Sequence, residues 1–219
     1  MVVGIKAYKA LIFDFDMTLA DSSKVIYKLL CECSRNFGYE PRDFESTFPV
    51  IGNTHEIMLS HITGEKDPAK LRIMRDDYRR LCREKMAKDT QLFEDAPSLV
   101  RTAYEKGYKV GLLSLKLRDV LMQSLVAYGI DGCFSSVVGC EDCSTPKPDP
   151  SGLFVSLRNL GLEASEVLYV GDSLVDEGAA RAAGVDFAAM LRGSTRKEQF
   201  DSSFVKFFYS TCEELEKEL

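Results

Sequence analysis

From residue 95 onward the chain alternates short apolar runs with helix-length segments, and this alternation restricts the fold more than any other feature. The runs are YKVGLL (108–113), SSVVG (135–139), VLYV (167–170), VDFAAM (185–190) and KFFYS (206–210). Asp95-Ala96-Pro97 predicts a helix N-cap with proline in the first turn, and Gly107 ends that helix. Further helices are predicted over 118–129, from Asp149-Pro150 to Gly161, and over the alanine-rich stretch 175–183. Thr211-x-x-Glu214 predicts a capping box for a terminal helix. Apolar strands joined by helices predict an α/β fold, a parallel sheet with helices on both faces.

An earlier apolar run at 10–15, containing LIFDF, supplies a first strand. Between it and residue 93 the pattern is helical and charged. Val25, Ile26, Leu29, Leu30, Cys33 and Phe37 recur at helical spacing, and Gly38 stands where that helix stops. Ile57, Met58 and Ile62 suggest a second helix, and Leu71, Met74, Tyr78, Leu81 and Cys82 a third. No alternating strand is read there. Residues 17–92 are therefore expected to form an all-helical insertion, with 1–16 and 93–219 forming the α/β core.

Bulk properties exclude several function classes. The 219 residues carry a net charge of −6, with 45% hydrophobic and 28% charged residues. An acidic balance argues against a nucleic-acid partner. No uncharged stretch approaches a membrane span, and MVVGIKAYKALIFDF lacks the pattern of a signal peptide. Seven irregularly spaced cysteines suit reduced thiols and a cytoplasmic location. Cys140-x-x-Cys143 has no second ligand pair at zinc spacing, since Cys31 and Cys33 lie on an apolar helix face. A monomer or homodimer is expected.

Ligands of parallel sheets bind beyond the carboxyl ends of the strands. Asp14 and Asp16 follow the first strand, and Ser114 follows YKVGLL. Lys147 lies in TPKPDP before a helix, and Asp172 and Asp176 lie in GDSLVDEG after VLYV. Clustered carboxylates repel unless a cation intervenes, and Mg²⁺ suits oxygen ligands of this kind. A lysine and a serine beside a metal suit phosphate. One carboxylate can attack phosphorus while a second works as acid and base. These residue types point to phosphoryl transfer. Asp21 and Ser22 are assigned to the start of the next helix instead.

Asp14-Phe15-Asp16-Met17-Thr18-Leu19, Ser114, Lys147 and Gly171-Asp172-Ser173-x-x-Asp176 resemble, in order, the four motifs of the haloacid dehalogenase-like hydrolases. The helical insertion resembles the cap of the phosphoglycolate phosphatase and β-phosphoglucomutase branch. The resemblance implies a three-layer, doubly wound parallel sheet with an inserted helical cap. It implies Asp14 as nucleophile and Mg²⁺ ligand. Asp16 would protonate the leaving oxygen, activate water and lend its backbone carbonyl to the metal. Thr18 would fix Asp16 or the phosphate, and Ser114 and Lys147 would hold phosphoryl oxygens. Asp172 would ligate the metal, with Asp176 a supporting acid. VIGNTHE (50–56) is similar to the cap segment over the active site, which makes Asn53, Thr54 and His55 substrate contacts.

Two positions depart from the pattern. Met17 stands where glycine is common, and Leu115, followed by Lys116, stands where asparagine is common. The activity implied is a Mg²⁺-dependent phosphatase for a small phosphorylated metabolite, phosphoglycolate-like or a sugar phosphate, working through an aspartyl-phosphate. A phosphomutase of the same branch and a catalytically silent binding module are the alternatives. Dehalogenases of the superfamily lack the second aspartate of the first motif, whereas Asp16 is present.

Overall fold

The computed structural model describes residues 4–219, so the first three residues of the segment assigned to the core lie outside it. Among the described residues there are eight strands: β1 (Ala10–Phe13), β2 (Ala20–Asp21), β3 (Gln91–Leu92), β4 (Lys109–Leu113), β5 (Phe134–Val138), β6 (Val167–Gly171), β7 (Asp186–Met190) and β8 (Phe207–Tyr209). Ten α-helices accompany them: α1 (Ser23–Asn36), α2 (Phe44–Thr47), α3 (His55–Thr63), α4 (Pro68–Leu81), α5 (Ala87–Asp89), α6 (Ala96–Glu105), α7 (Arg118–Ala127), α8 (Ser151–Leu160), α9 (Leu174–Ala183) and α10 (Cys212–Glu216). A π-helical turn, Cys82–Met86, joins α4 to α5. Among the described residues, no helix is long and apolar enough to cross a membrane.

Six strands form one sheet in the order β5-β4-β1-β6-β7-β8, every pairing parallel. All four residues of β1 are buried, which requires cover on both faces. Leu11 and Phe13 pack with Leu99 and Val100 of α6, Leu121 and Leu125 of α7 and Leu215 of α10. Ala10 and Ile12 point the other way, against Leu153 and Leu157 of α8 and Ala179 and Ala180 of α9. The two-residue side-chain period thus feeds two cores from one strand. Strand order reverses at β1, so its carboxyl end opens on the crevice where such sheets bind ligands.

The helices between β1 and β4 enclose an apolar cluster of their own. Val25, Leu29, Leu30 and Cys33 of α1 meet Leu59 and Ile62 of α3 and Met74, Tyr78 and Leu81 of α4. Leu117 and Val120 close the cluster from the sheet-bearing side.

Three local expectations are corrected. The span 17–92 contains two strands, β2 and β3, paired antiparallel as Ala20↔Leu92 and Asp21↔Gln91. Two residues are too few to show a period, so no pattern marks them. Asp95 holds the N-cap position of α6 as expected, but its side chain makes no capping hydrogen bond. Its carboxylate instead takes Arg192 at 2.5 Å and the Cys212 N–H at 2.9 Å. Thr211 accepts from the Glu214 N–H at 3.2 Å, but Glu214 accepts from the Ser210 N–H at 2.6 Å. The capping box is therefore not reciprocal.

Candidate active site

Register brings three strand ends together. Phe13 lies opposite Leu112 of β4 and Val170 of β6. Asp14, Ser114 and Asp172 therefore emerge side by side at one edge. Asp14 is buried, and its N–H donates to the Val170 carbonyl at 2.8 Å. Lys147, on the loop before α8, reaches in among them. Its Nζ is 2.7 Å from Asp14 Oδ1, 2.5 Å from Asp176 Oδ1 and 2.9 Å from the Tyr169 hydroxyl. The Tyr169 hydroxyl donates in turn to Asp176 Oδ1 at 2.6 Å. Ser173 donates its hydroxyl to Asp176 Oδ2 at 2.5 Å and takes the Asp176 N–H in return. Asp176 is thus at once a helix cap and a member of the buried cluster.

Carboxylate oxygens of Asp14, Asp172 and Asp176 lie within 4.8 Å of one another. Among the described residues, no donor bonds to Asp172. Its place depends on Gly193, where an added Cβ would stand 1.8 Å from Asp172 Oδ2. Burial pushes the Asp14 carboxyl up to about 7, with Lys147 opposing and Asp176 and Asp16 adding to the rise. Burial, then Asp176 and Asp14, hold Asp172 well above the usual carboxylate range. Asp176 stays below that range because Lys147, Ser173 and Tyr169 outweigh its burial. Burial opposes the charge on Lys147, but Asp14 and Asp176 keep it firmly protonated.

Asp16 sits just before a turn in which Met17 adopts the left-handed region, φ 62°. A side chain there is strained, a cost that glycine would not carry. The Met17 N–H donates to the Ala20 carbonyl at 2.7 Å and closes the turn. Lys116 Nζ lies 2.8 Å from Asp16 Oδ1, and the Ser22 hydroxyl donates to the same oxygen. Asp16 Oδ2 has no partner among the described residues. Lys116 is buried and packs on Met86 Sδ at 3.1 Å and near the Phe15 ring. Ser22 holds the N-cap position of α1, as the sequence predicts, but its hydroxyl serves Asp16 and not the helix backbone. Asp21 turns outward from β2, accepting from the Ser23 hydroxyl at 2.7 Å.

Four carboxylates, Asp14, Asp16, Asp172 and Asp176, face two ammonium groups, Lys116 and Lys147. Fully ionised, the cluster keeps two negative charges. An all-oxygen donor set with that deficit, and with Asp172 lacking a protein donor, fits a hard divalent cation.

The other expected site residues divide. Ser114 is buried beside the cluster, and its Oγ accepts from the Lys116 N–H at 3.3 Å. Thr18 is wholly buried, but its hydroxyl has no hydrogen-bond partner and does not reach Asp16; Ser22 makes that contact. Asn53 and His55 line a cavity of about 20 Å³ together with Asp16 and Lys116, with room for about one water. Thr54 caps α3 by accepting from the Ile57 N–H at 3.4 Å, and it lines an adjoining cleft of about 280 Å³.

His55 packs edge-on against Tyr78, and its Nδ1 accepts from Arg79 Nε at 3.4 Å. Burial, then the Arg79 charge, pushes His55 down to about 4. The unfolded chain binds this proton near 6.5, so between those values it holds more protons than the folded chain. Stability is therefore present above 6.5 and lost as pH falls toward 4, by up to about 3 kcal/mol. Urea unfolding at about pH 7.5 and about pH 5 should show this loss, and His55→Gln should reduce it. Equal losses in both chains would rule His55 out as its source.

With this geometry in view, relatives can be compared. The sequence profile of the haloacid dehalogenase-like hydrolases matches residues 11–190. The chain belongs to this family. It is 30% identical over 202 residues to the pyrophosphatase PpaX of Listeria welshimeri, covering 89% of this chain and 90% of that protein. It is 28% identical over 206 residues to a phosphoglycolate phosphatase of Yersinia pestis, covering 92% of this chain and 89% of that one. Among solved structures, a haloacid dehalogenase-like hydrolase from Bacteroides fragilis superposes with a TM-score of 0.89 at 33% identity, covering 95% of this chain and 99% of that one. A predicted phosphoglycolate phosphatase from Haemophilus somnus 129pt shares the fold, with a TM-score of 0.86 at 20% identity, covering 98% and 99%.

Three residues of the site escaped the sequence reading in the role they take. Tyr169 reads as one more apolar position of VLYV, yet its hydroxyl joins Lys147 to Asp176. Ser22 and Lys116 hold Asp16, and their only local signal is closeness to the first two motifs.

Proposed function

We propose that this family member is a Mg²⁺-dependent phosphatase that transfers the phosphoryl group of a small phosphorylated metabolite to water through Asp14. The observation that carries the reading is the buried pairing of Asp14 with Lys147 at the end of the central strand, with Asp16 two residues on and Asp172 across the crevice. Asp14, Asp172 and the backbone carbonyl of Asp16 would hold Mg²⁺, which supplies charge neutralisation at the phosphoryl oxygens. Lys147 engages Asp14 Oδ1 and orients the other carboxylate oxygen for attack.

In the first step an Asp14 oxygen bonds to phosphorus, the bond to the leaving oxygen breaks, and Asp16 gives that oxygen its proton. In the second, Asp16 takes a proton from water as the water oxygen attacks phosphorus. The bond to Asp14 then breaks and inorganic phosphate leaves. Ser114 would add a hydroxyl donor to a phosphoryl oxygen. The space beside Asp16 is too small for a phosphate ester, so access requires the helical insertion, acting as a cap, to lift and close again. Closure excludes water other than the reacting molecule.

The names of the relatives favour two substrates, phosphoglycolate and pyrophosphate. The test is phosphate release from p-nitrophenyl phosphate, phosphoglycolate and pyrophosphate, with Mg²⁺ and with a chelator. Release is expected with Mg²⁺, lost on chelation and restored by added Mg²⁺. No metal-dependent release from any of the three would overturn the reading and favour a silent binding module.

A further inference from the structure

The cleft that adjoins the Asp16 cavity is lined by Thr54, His55, Arg75, Arg79, Leu115 and Cys140, among others. His55 and Leu115 line both spaces, so the cleft continues the site away from the catalytic carboxylates. Its volume, about 280 Å³, is much larger than the roughly 20 Å³ beside Asp16. That is room enough for the part of a small substrate beyond its phosphoryl group.

The charges of this region are unevenly matched. Arg75 pairs with Glu56 at 2.9 Å, Arg80 with Asp77 at 2.7 Å and Arg83 with Asp119 at 2.6 Å. Arg79, on the same helical run, has no carboxylate partner among the described residues. Unlike the exposed Arg72, it is half-buried. Its contacts are long: Nε to His55 Nδ1 at 3.4 Å and Nη2 to Cys140 Sγ at 3.8 Å. Neither partner carries a negative charge, because His55 is neutral and burial pushes the Cys140 thiol up. The two site lysines are already committed, Lys116 to Asp16 and Lys147 to Asp14 and Asp176. Arg79 is thus the cleft's uncompensated cation, and its guanidinium is a fork suited to carboxylate or phosphate.

We propose that Arg79, braced by His55, binds a second anionic group on the substrate, so that the chain acts on a small phosphate ester or anhydride carrying a carboxylate or phosphate beside the reacting phosphoryl group. The inference rests on the phosphatase reading and adds the substrate class. His55 keeps Nδ1 turned to Arg79, which leaves its Nε2 as the protonated nitrogen. Arg79 is a specificity-determining residue here and takes no part in bond breaking.

The test compares substrates within each variant. The kcat/KM for phosphoglycolate and for pyrophosphate is divided by that for methyl phosphate, which carries no second anion. Arg79→Gln is expected to lower these ratios about 10- to 100-fold, mostly through KM, the usual scale for a lost charge-assisted hydrogen bond. Arg79→Lys should recover part of the loss. A smaller active fraction scales both substrates alike, so partial misfolding cannot mimic the result. A drop for phosphoglycolate alone identifies a carboxylate as the bound group, and a drop for pyrophosphate alone identifies a phosphate. Unchanged ratios would overturn the inference while leaving the phosphatase reading intact. No turnover of any ester by the native chain would overturn both.

Discussion

Asp14→Asn is expected to lose phosphate release by about 10,000-fold or more while keeping its fold. The amide is nearly the same size, and its oxygen can still accept from Lys147 Nζ. It is not a competent nucleophile, and it weakens any cation held between positions 14 and 172. Stability should not suffer. Burial already pushes the native carboxyl up to about 7, so its charge is costly in the fold. A neutral isostere removes that cost, and in chelator the thermal midpoint of the variant should equal or exceed that of the native chain. Single-turnover phosphate release and circular dichroism melting check the two halves separately. Residual turnover within about tenfold of native would mean another group attacks phosphorus. A collapse of the melting transition would mean Asp14 holds the fold together, against the cost that its burial implies.

The sheet was largely legible because strands covered on both faces need unbroken apolar runs. VLYV and YKVGLL could hardly be anything else between helices, and each became a strand within a residue of its expected bounds. The strand ends place Asp14, Ser114 and Asp172 at one edge from the sequence pattern alone. Contacts set by side-chain reach were not legible. Nothing in a charged helix distinguishes Arg79 from Arg75, Arg80 or Arg83. The distinction lies in which carboxylates fold within reach: Glu56 of α3, Asp77 of α4 itself and Asp119 of α7. Tyr169 was hidden for the opposite reason, since an aromatic ring in a buried strand satisfies the apolar pattern whatever its hydroxyl does. Of the two roles that the motif offers Thr18, holding Asp16 falls to Ser22, while the buried Thr18 hydroxyl has no partner among the described residues.

Lys147→Ala is expected to lose both activity and stability, and the pH dependence of the damage identifies its cause. The lysine side chain is 5% exposed and, among the described residues, is the only cation in contact with Asp14 and Asp176. Removing it leaves two buried carboxylates unbalanced, a loss of about 3–5 kcal/mol. For a chain of this length that corresponds to a thermal midpoint lower by roughly 6–20 °C. The sign with pH follows from linkage. Without the ammonium, folded carboxyls take protons at higher pH than unfolded ones, so the folded state binds more protons at mildly acidic pH. Stability of the variant should then rise as pH falls from about 8 to about 5, the range in which those carboxyls protonate. Adding Asp176→Asn to Lys147→Ala should recover part of the midpoint at neutral pH, because one unbalanced charge is gone. Melting curves of the single and double variants at both pH values decide the matter. A midpoint that falls equally at both pH values, with no recovery in the double variant, would assign the loss to packing of the lysine stem. Lys147 would then not be the counter-charge that lets these carboxylates share one buried edge.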